Sequence, residues 1–173
     1  MTASYDAVVY DLDGTLVRLA VNWAATADRI APILHDHGWE GEADDALDLL
    51  PVADQLRARA EVDPHLEHAE VAGARESARL SAMDELEGES RPVAICSLNC
   101  EAACREALST HGVDREVAAI VGRDSVAERK PHPQPLLAAV ERLGVAPERT
   151  LFVGDSDSDE LTAQRAGTGF RRV

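Results

Sequence analysis

Lysine is almost missing from this chain: of 17 basic residues among 173, 16 are arginine and one, Lys130, is lysine. Positive charge is short altogether, with 32 acidic side chains giving a formal net charge of −15. No basic stripe exists to neutralise phosphates, which argues against nucleic acid or an anionic membrane as partner. Cysteine is scarce too, at three residues, so a disulfide scaffold is excluded and a reducing compartment is expected. Cys96, Cys100 and Cys104 have no His or further Cys beside them at zinc-like spacing, so no metal role is expected there. The chain does not open on a basic segment leading into an apolar run, and it contains no stretch of 18 apolar residues. The expectation is a soluble, cytoplasmic protein.

What is present is a globular pattern. A hydrophobic content of 45% is too high for a disordered acidic tail. The length suits one domain, or a core with a small appendage, burying about 70% of the extended-chain surface. Residues 5–10 (YDAVVY) form a short apolar run that ends at DLDGT, a strand delivering carboxylates at its C-terminal end. RPVAIC at 91–96 repeats the design and ends at Ser97-Leu98-Asn99; the following helix has Asn99 as a candidate N-cap and Gly112 as its stop. VAAIV at 117–121 and TLFV at 150–153 read as further strands, and Phe170 to Val173 as a last one. Helices fill 133–144 and the stretch from GDSDSD to about Gly167. Such alternation implies an α/β fold: a Rossmann-like parallel sheet with helices on both faces, whose ligands bind outside the carboxyl ends of the strands.

The segment between the first two strands behaves differently. It holds no convincing strand, and helices are expected over roughly 22–37, 43–60 and 64–87, with breaks near 38–41 and at Asp63-Pro64. The domain expectation is therefore a core of residues 1–18 and 90–173, with a helical cap of residues 19–89 leaning on the active edge of the sheet.

Asp11 and Asp13 lie at i and i+2 past a strand, where extended chain points both side chains the same way. Asp155, Asp157 and Asp159 follow another strand in the same manner. Carboxylates crowded at neighbouring strand ends repel one another unless a cation compensates, and hard oxygen ligands favour Mg²⁺. Lys130, kept in RKPHP between a strand and a helix, is a compact ammonium suited to a phosphoryl group or carboxylate. Ser97 places a hydroxyl beside the start of the next helix, a natural anion site.

These strand-end elements, in this order, resemble the haloacid dehalogenase superfamily of aspartate-nucleophile phosphotransferases. DLDGTL at 11–16 and VGDSDSD at 153–159, followed by AQRAG, carry most of the resemblance, which spans nearly the whole chain. The helical insertion is similar to the cap of phosphoglycolate phosphatase-like and β-phosphoglucomutase-like members. The resemblance implies that Asp11 is the nucleophile, Asp13 the general acid and base, and Ser97 and Lys130 the ligands of the phosphoryl oxygens. It implies that Thr15 holds Asp13, and that Asp155 and Asp159 bind Mg²⁺ with Asp11 and the backbone carbonyl of Asp13. Asp157 falls between those positions, either behind the ligands or in solvent. An acid at position 13 separates such phosphatases from family dehalogenases acting on carbon–halogen bonds. The expected activity is Mg²⁺-dependent hydrolysis of a small phosphorylated metabolite, possibly phosphoglycolate; the alternative is a sugar phosphomutase of the β-phosphoglucomutase type.

Leu98 stands where the family often has a small or amide residue, and Arg18 where a cap hinge is expected. Only 14 residues follow Asp159, so the family's usual further strand and helix are expected to be missing, leaving an open sheet edge or a dimer interface; monomer and homodimer both stay open. In the cap, Trp23 is expected to anchor cap on core, His35 and His37 not to form a metal pair, and Arg75 and Arg79 to share one helical face. The acidic, Arg-for-Lys surface resembles proteins of salt-loving archaea, so a halophilic protein is expected.

Overall fold

A computed structural model describes residues 4–173; the first three residues of the expected core segment lie outside the described residues. In chain order the elements are β1 (Ala7–Tyr10), β2 (Val17–Arg18), α1 (Trp23–Asp36), a 3-10 turn (Ala46–Leu49), α2 (Leu50–Gln55), α3 (Arg59–Arg75), β3 (Ala78–Arg79) and α4 (Ala82–Glu87). Then follow β4 (Val93–Cys96), α5 (Glu101–Thr110), β5 (Ala119–Val121), α6 (Gln134–Leu143), β6 (Thr150–Gly154), α7 (Asp157–Ala166) and β7 (Gly169–Arg172). Among the described residues, five strands pair in parallel in the order β5-β4-β1-β6-β7. The central β1 is buried on both faces, which is why AVVY reads as an unbroken apolar run. Alternation sorts its side chains: Val8 and Tyr10 pack with α4 and α5, while Val9 packs with α6 and α7. The chain adds β4 and β5 on one side of β1, then crosses back to add β6 and β7 on the other. That reversal opens a crevice at the carboxyl ends of β1 and β6.

The insertion between β1 and β4 is helical, and the break near 38–41 falls after α1 as expected, but the later breaks differ. The predicted helix over 43–60 is split into the 3-10 turn and α2, and the chain reverses at Arg57, which has a positive φ of 58°. Asp63-Pro64 is no break: α3 runs through it, because losing one donor in the second turn costs less than the packing of Val62 and Leu66 contributes. The break falls instead at 76–81, where Ala78–Arg79 pairs antiparallel with Val17–Arg18. This ribbon was unforeseen because two residues carry no periodicity. Ile30, Leu34, Leu49, Leu50 and Leu66 form an apolar cluster of the cap's own. Trp23 packs against that cluster, not against the core as expected. Asn99 is not the cap of α5; Cys100 is, with its Sγ accepting from the Ala103 N–H. β7 supplies the edge strand, with Arg171 paired to Glu85 and Arg172 to Asp157 and Glu160. A charged, paired edge of this kind resists further strand addition.

Candidate active site

The site begins with the turn after β1. Asp11 donates its N–H to the Val153 carbonyl at 2.9 Å, tying the end of β1 to β6, and Leu16 and Val17 donate back to the Leu12 carbonyl. Gly14 sits in this turn at φ +87°, and a Cβ there would lie 2.4 Å from Asp155 Oδ2. Glycine is thus required twice over, for the left-handed backbone and for the close approach of Asp155. At the end of β6 a Cβ on Gly154 would lie 2.7 Å from the Asp159 side chain. The two glycines let both acidic residues close in on Asp11.

Asp11, Asp155 and Asp159 each place a carboxylate oxygen within 4.8 Å of the others. Lys130 lies between two of them, donating to Asp11 Oδ1 at 2.8 Å and to Asp159 Oδ1 at 2.5 Å. The other oxygen of Asp159 is also committed, accepting from the Ser156 N–H at 3.1 Å and the Ser156 hydroxyl at 2.6 Å in the capping box of α7. Asp155 is exposed, and among the described residues its Oδ1 accepts only from the Thr15 hydroxyl at 3.2 Å. Thr15 therefore holds Asp155, not Asp13 as the resemblance implied. The Asp13 carboxylate instead accepts from the Leu19 N–H at 2.8 Å, so it lines the same cavity without joining the tight triad. Asp157 is solvent-exposed and paired with Arg172.

Burial pushes the Asp11 carboxyl up to about 7, Lys130 pulling against that rise and Asp159 adding to it. For Lys130, burial would lower the ammonium, but the charges of Asp11 and Asp159 win and hold it well above its ordinary range. Burial likewise raises Asp13, opposed by the Leu19 N–H. Four carboxyl groups stand against one ammonium, and Asp11 and Asp155 both line the cavity. That donor set fits a hard divalent cation.

Ser97 is buried at the end of β4, its hydroxyl donating to Asn99 Oδ1 at 3.0 Å. The start of α5 is less open to an anion than expected: Glu70 takes the Cys100 N–H and Asp124 the Glu101 N–H. The cavity holds about 150 Å³ between the acidic residues, Lys130 and Asn99, with Leu98 and the cap's Leu47 over it. A second recess of about 370 Å³ shares Leu47, Leu98 and Lys130 and runs past Leu50, Asp54 and Arg129. Arg129 is paired there with Asp54 of α2, across the junction of cap and core.

Leu47, Asn99 and the Asp54–Arg129 and Glu70–Arg123 pairs were not singled out from sequence as site residues. They come together only through folding, apart from the adjacency of Asn99 to Ser97. Arg75 and Arg79 do not share a helical face: Arg75 ends α3 and pairs with Glu106, whereas Arg79 is in β3 and pairs with Asp84 and Glu87. His35 stacks on Trp39 at 5.4 Å and His37 pairs with Glu61. All three Cys are buried, and burial raises the Cys96 and Cys100 thiols to about 12, leaving no thiolate at neutral pH.

Comparison with known proteins gives a consistent picture. A family profile described as haloacid dehalogenase-like hydrolase matches residues 66–173. A phosphoglycolate phosphatase of Cereibacter sphaeroides is 32% identical over 94% of this chain and 82% of its own length. One from Rhodospirillum rubrum is 31% identical over 93% of this chain and 76% of its own. Among solved structures, a haloacid dehalogenase-like hydrolase of Bacteroides fragilis superposes with TM-score 0.71 at 25% identity, covering 96% of this chain and 86% of that one. CbbY of Rhodobacter sphaeroides, solved with phosphate, superposes with TM-score 0.70 at 20% identity over 96% and 84% of the two chains, a likeness of fold.

Proposed function

This chain belongs to the haloacid dehalogenase-like hydrolases, and from that premise we propose that it is a Mg²⁺-dependent phosphatase hydrolysing a small phosphomonoester through an aspartyl-phosphate on Asp11. The observation that carries the reading is Lys130, buried and bonded to both Asp11 and Asp159 at a small acidic cavity. Asp159 stands in the same carboxylate triad, but both its oxygens are hydrogen-bonded and one holds Lys130, so Asp155 is the freer metal ligand of the two. Asp11, Asp155 and the Asp13 backbone carbonyl would hold Mg²⁺, which supplies positive charge where the substrate dianion meets the acidic pocket.

The chain's own residues then act in two steps. Asp11 attacks phosphorus while the ester P–O bond breaks, and the leaving alkoxide takes a proton from Asp13, whose raised affinity for protons suits it to be the acid. Asp13, now a carboxylate, takes a proton from water as that water attacks phosphorus, and the bond from phosphorus to Asp11 breaks. Lys130 and Ser97 hold the phosphoryl oxygens, stabilising charge on the transferring group. Phosphoglycolate, in the names of the relatives at 31–32% identity, is the first substrate to test. Arg129, a second cation along the adjoining recess beside Lys130, already has a partner in Asp54, so a substrate carboxylate would have to compete for it. Transfer to a second sugar hydroxyl, as in a phosphomutase, has only the shared fold in its favour.

Rapid quenching of the enzyme with a phosphomonoester, followed by mass spectrometry, tests the intermediate. A phosphoryl adduct on the peptide bearing Asp11 is expected. Turnover without that adduct, in an Asp13→Asn variant that slows its breakdown, would refute the covalent route.

A further inference from the structure

Glu70 of the cap helix α3 is fully buried, yet the chemistry above makes no use of it. Its carboxylate accepts from Arg123 Nη1 at 2.6 Å and Nη2 at 3.0 Å, a forked pair with both side chains removed from solvent. It also accepts from the Cys100 N–H at 3.1 Å and from Asn99 Nδ2 at 3.2 Å. Arg123 in turn donates from Nη1 to the Leu98 carbonyl at 2.9 Å and from its backbone N–H to the Asn99 carbonyl at 2.9 Å. Each residue of the loop from Leu98 to Cys100 is therefore held by this buried pair.

The polarity of the contact matters more than its strength. A carboxylate only accepts, so Glu70 obliges Asn99 to present its amino group, which turns the amide oxygen toward Ser97. That oxygen accepts the Ser97 hydroxyl at 3.0 Å, while the Asn99 backbone N–H donates to Ser97 Oγ at 3.1 Å. The Ser97 oxygen is thereby pinned by two bonds from one residue. Its proton is donated to the Asn99 amide oxygen, an acceptor that a phosphoryl oxygen would have to displace. A buried ion pair is a poor source of stability in itself, which leaves room for a role in positioning.

We infer that Glu70 is a positioning residue: it acts through Asn99 to orient the Ser97 hydroxyl for the phosphoryl group. The inference rests on the reading of Ser97 as a phosphoryl ligand. Through it, the cap's α3 contributes to phosphate recognition without touching substrate.

The test is inorganic phosphate binding by calorimetry with Mg²⁺ present, and KM and kcat for an aryl phosphate. Wild type, Ser97→Ala, Glu70→Gln, Asn99→Ala and the two double variants with Ser97→Ala are compared. Asn99→Ala keeps the Glu70–Arg123 pair, so it remains informative if Glu70→Gln does not fold. Glu70→Gln and Asn99→Ala should each weaken phosphate about tenfold, the worth of one well-made hydrogen bond to a charged group, with KM changing more than kcat. In the Ser97→Ala background neither should matter by more than about twofold, because the group they orient is gone. Effects that multiply in the double variants would show a structural role only and overturn the relay. Unchanged phosphate binding in Ser97→Ala alone would instead overturn the reading of Ser97, and the relay with it.

Discussion

At the scale of single residues, the site turns on Lys130. Its ammonium lies between two buried carboxylates in a slot where the lysine side chain is 3% exposed, a place where arginine's wider planar fork should fit poorly. Lys130→Met should lower phosphatase turnover at least about 100-fold, since a charge facing the transferring group is lost. It should also destabilise the metal-free protein by roughly 3 kcal/mol, because Asp11 and Asp159 are left buried without a counter-charge. Urea unfolding in chelator measures the second effect, and Lys130→Arg should restore neither. Composition alone pointed to this residue, because the one lysine among 17 basic residues stands out against a background of arginine. The duty of Asp159 was not legible in the same way. Its spacing from Asp155 is visible, but its engagement by Ser156 and Lys130 depends on how α7 is capped against β6.

Among the elements, the turn after β1 and the approach to β4 carry testable consequences. Gly14→Ala forces a Cβ into Asp155 and a left-handed backbone on alanine, a strain of about 1–2 kcal/mol. The displaced Asp155 should raise the Mg²⁺ concentration for half-maximal activity about tenfold or more, with a smaller loss of turnover at saturating Mg²⁺; unchanged Mg²⁺ dependence would remove Asp155 from the metal site. Before β4, Arg91 grips Glu89 in a fork at 2.9 and 2.6 Å and holds its carboxyl at about 2, below its ordinary 4.5. A depressed folded-state value means stability that is present above pH 4.5 and lost as pH falls toward 2. With Arg91 about one-third exposed, the pair contributes about 1 kcal/mol. Glu89→Gln should lower the urea midpoint at pH 7, and the gap from wild type should shrink by roughly half at pH 3. The five strands of the parallel sheet and α1, α5, α6 and α7 were readable from runs and periodicity. The β2–β3 ribbon was not, nor the division of the cap after α2, because each is decided by contacts with residues distant in sequence.

For the whole molecule, a net charge of −15 means self-repulsion that salt relieves. We propose that the protein is suited to concentrated salt, and the thermal midpoint and turnover should both rise between dilute buffer and about 2 M KCl. Full stability and activity in dilute buffer would refute this. Among the described residues no helix is long and apolar enough to cross a membrane. The carboxylates at the ends of β1 and β6 are a separate matter, since Lys130 answers part of their charge and their arrangement suits a divalent cation. Sequence pattern placed all five strands of the parallel sheet and the acidic ends of β1 and β6, but not the cap surface that faces them, so the proposed site was legible and the substrate was not. The account therefore rests most directly on phosphate release from a phosphomonoester panel that includes phosphoglycolate, assayed with Mg²⁺ and with chelator, in wild type and Asp11→Asn. It predicts release by wild type with Mg²⁺, almost none in chelator, and loss of at least about 1,000-fold in Asp11→Asn. Release that survives Asp11→Asn, or a wild type inactive on every member of the panel, would contradict it.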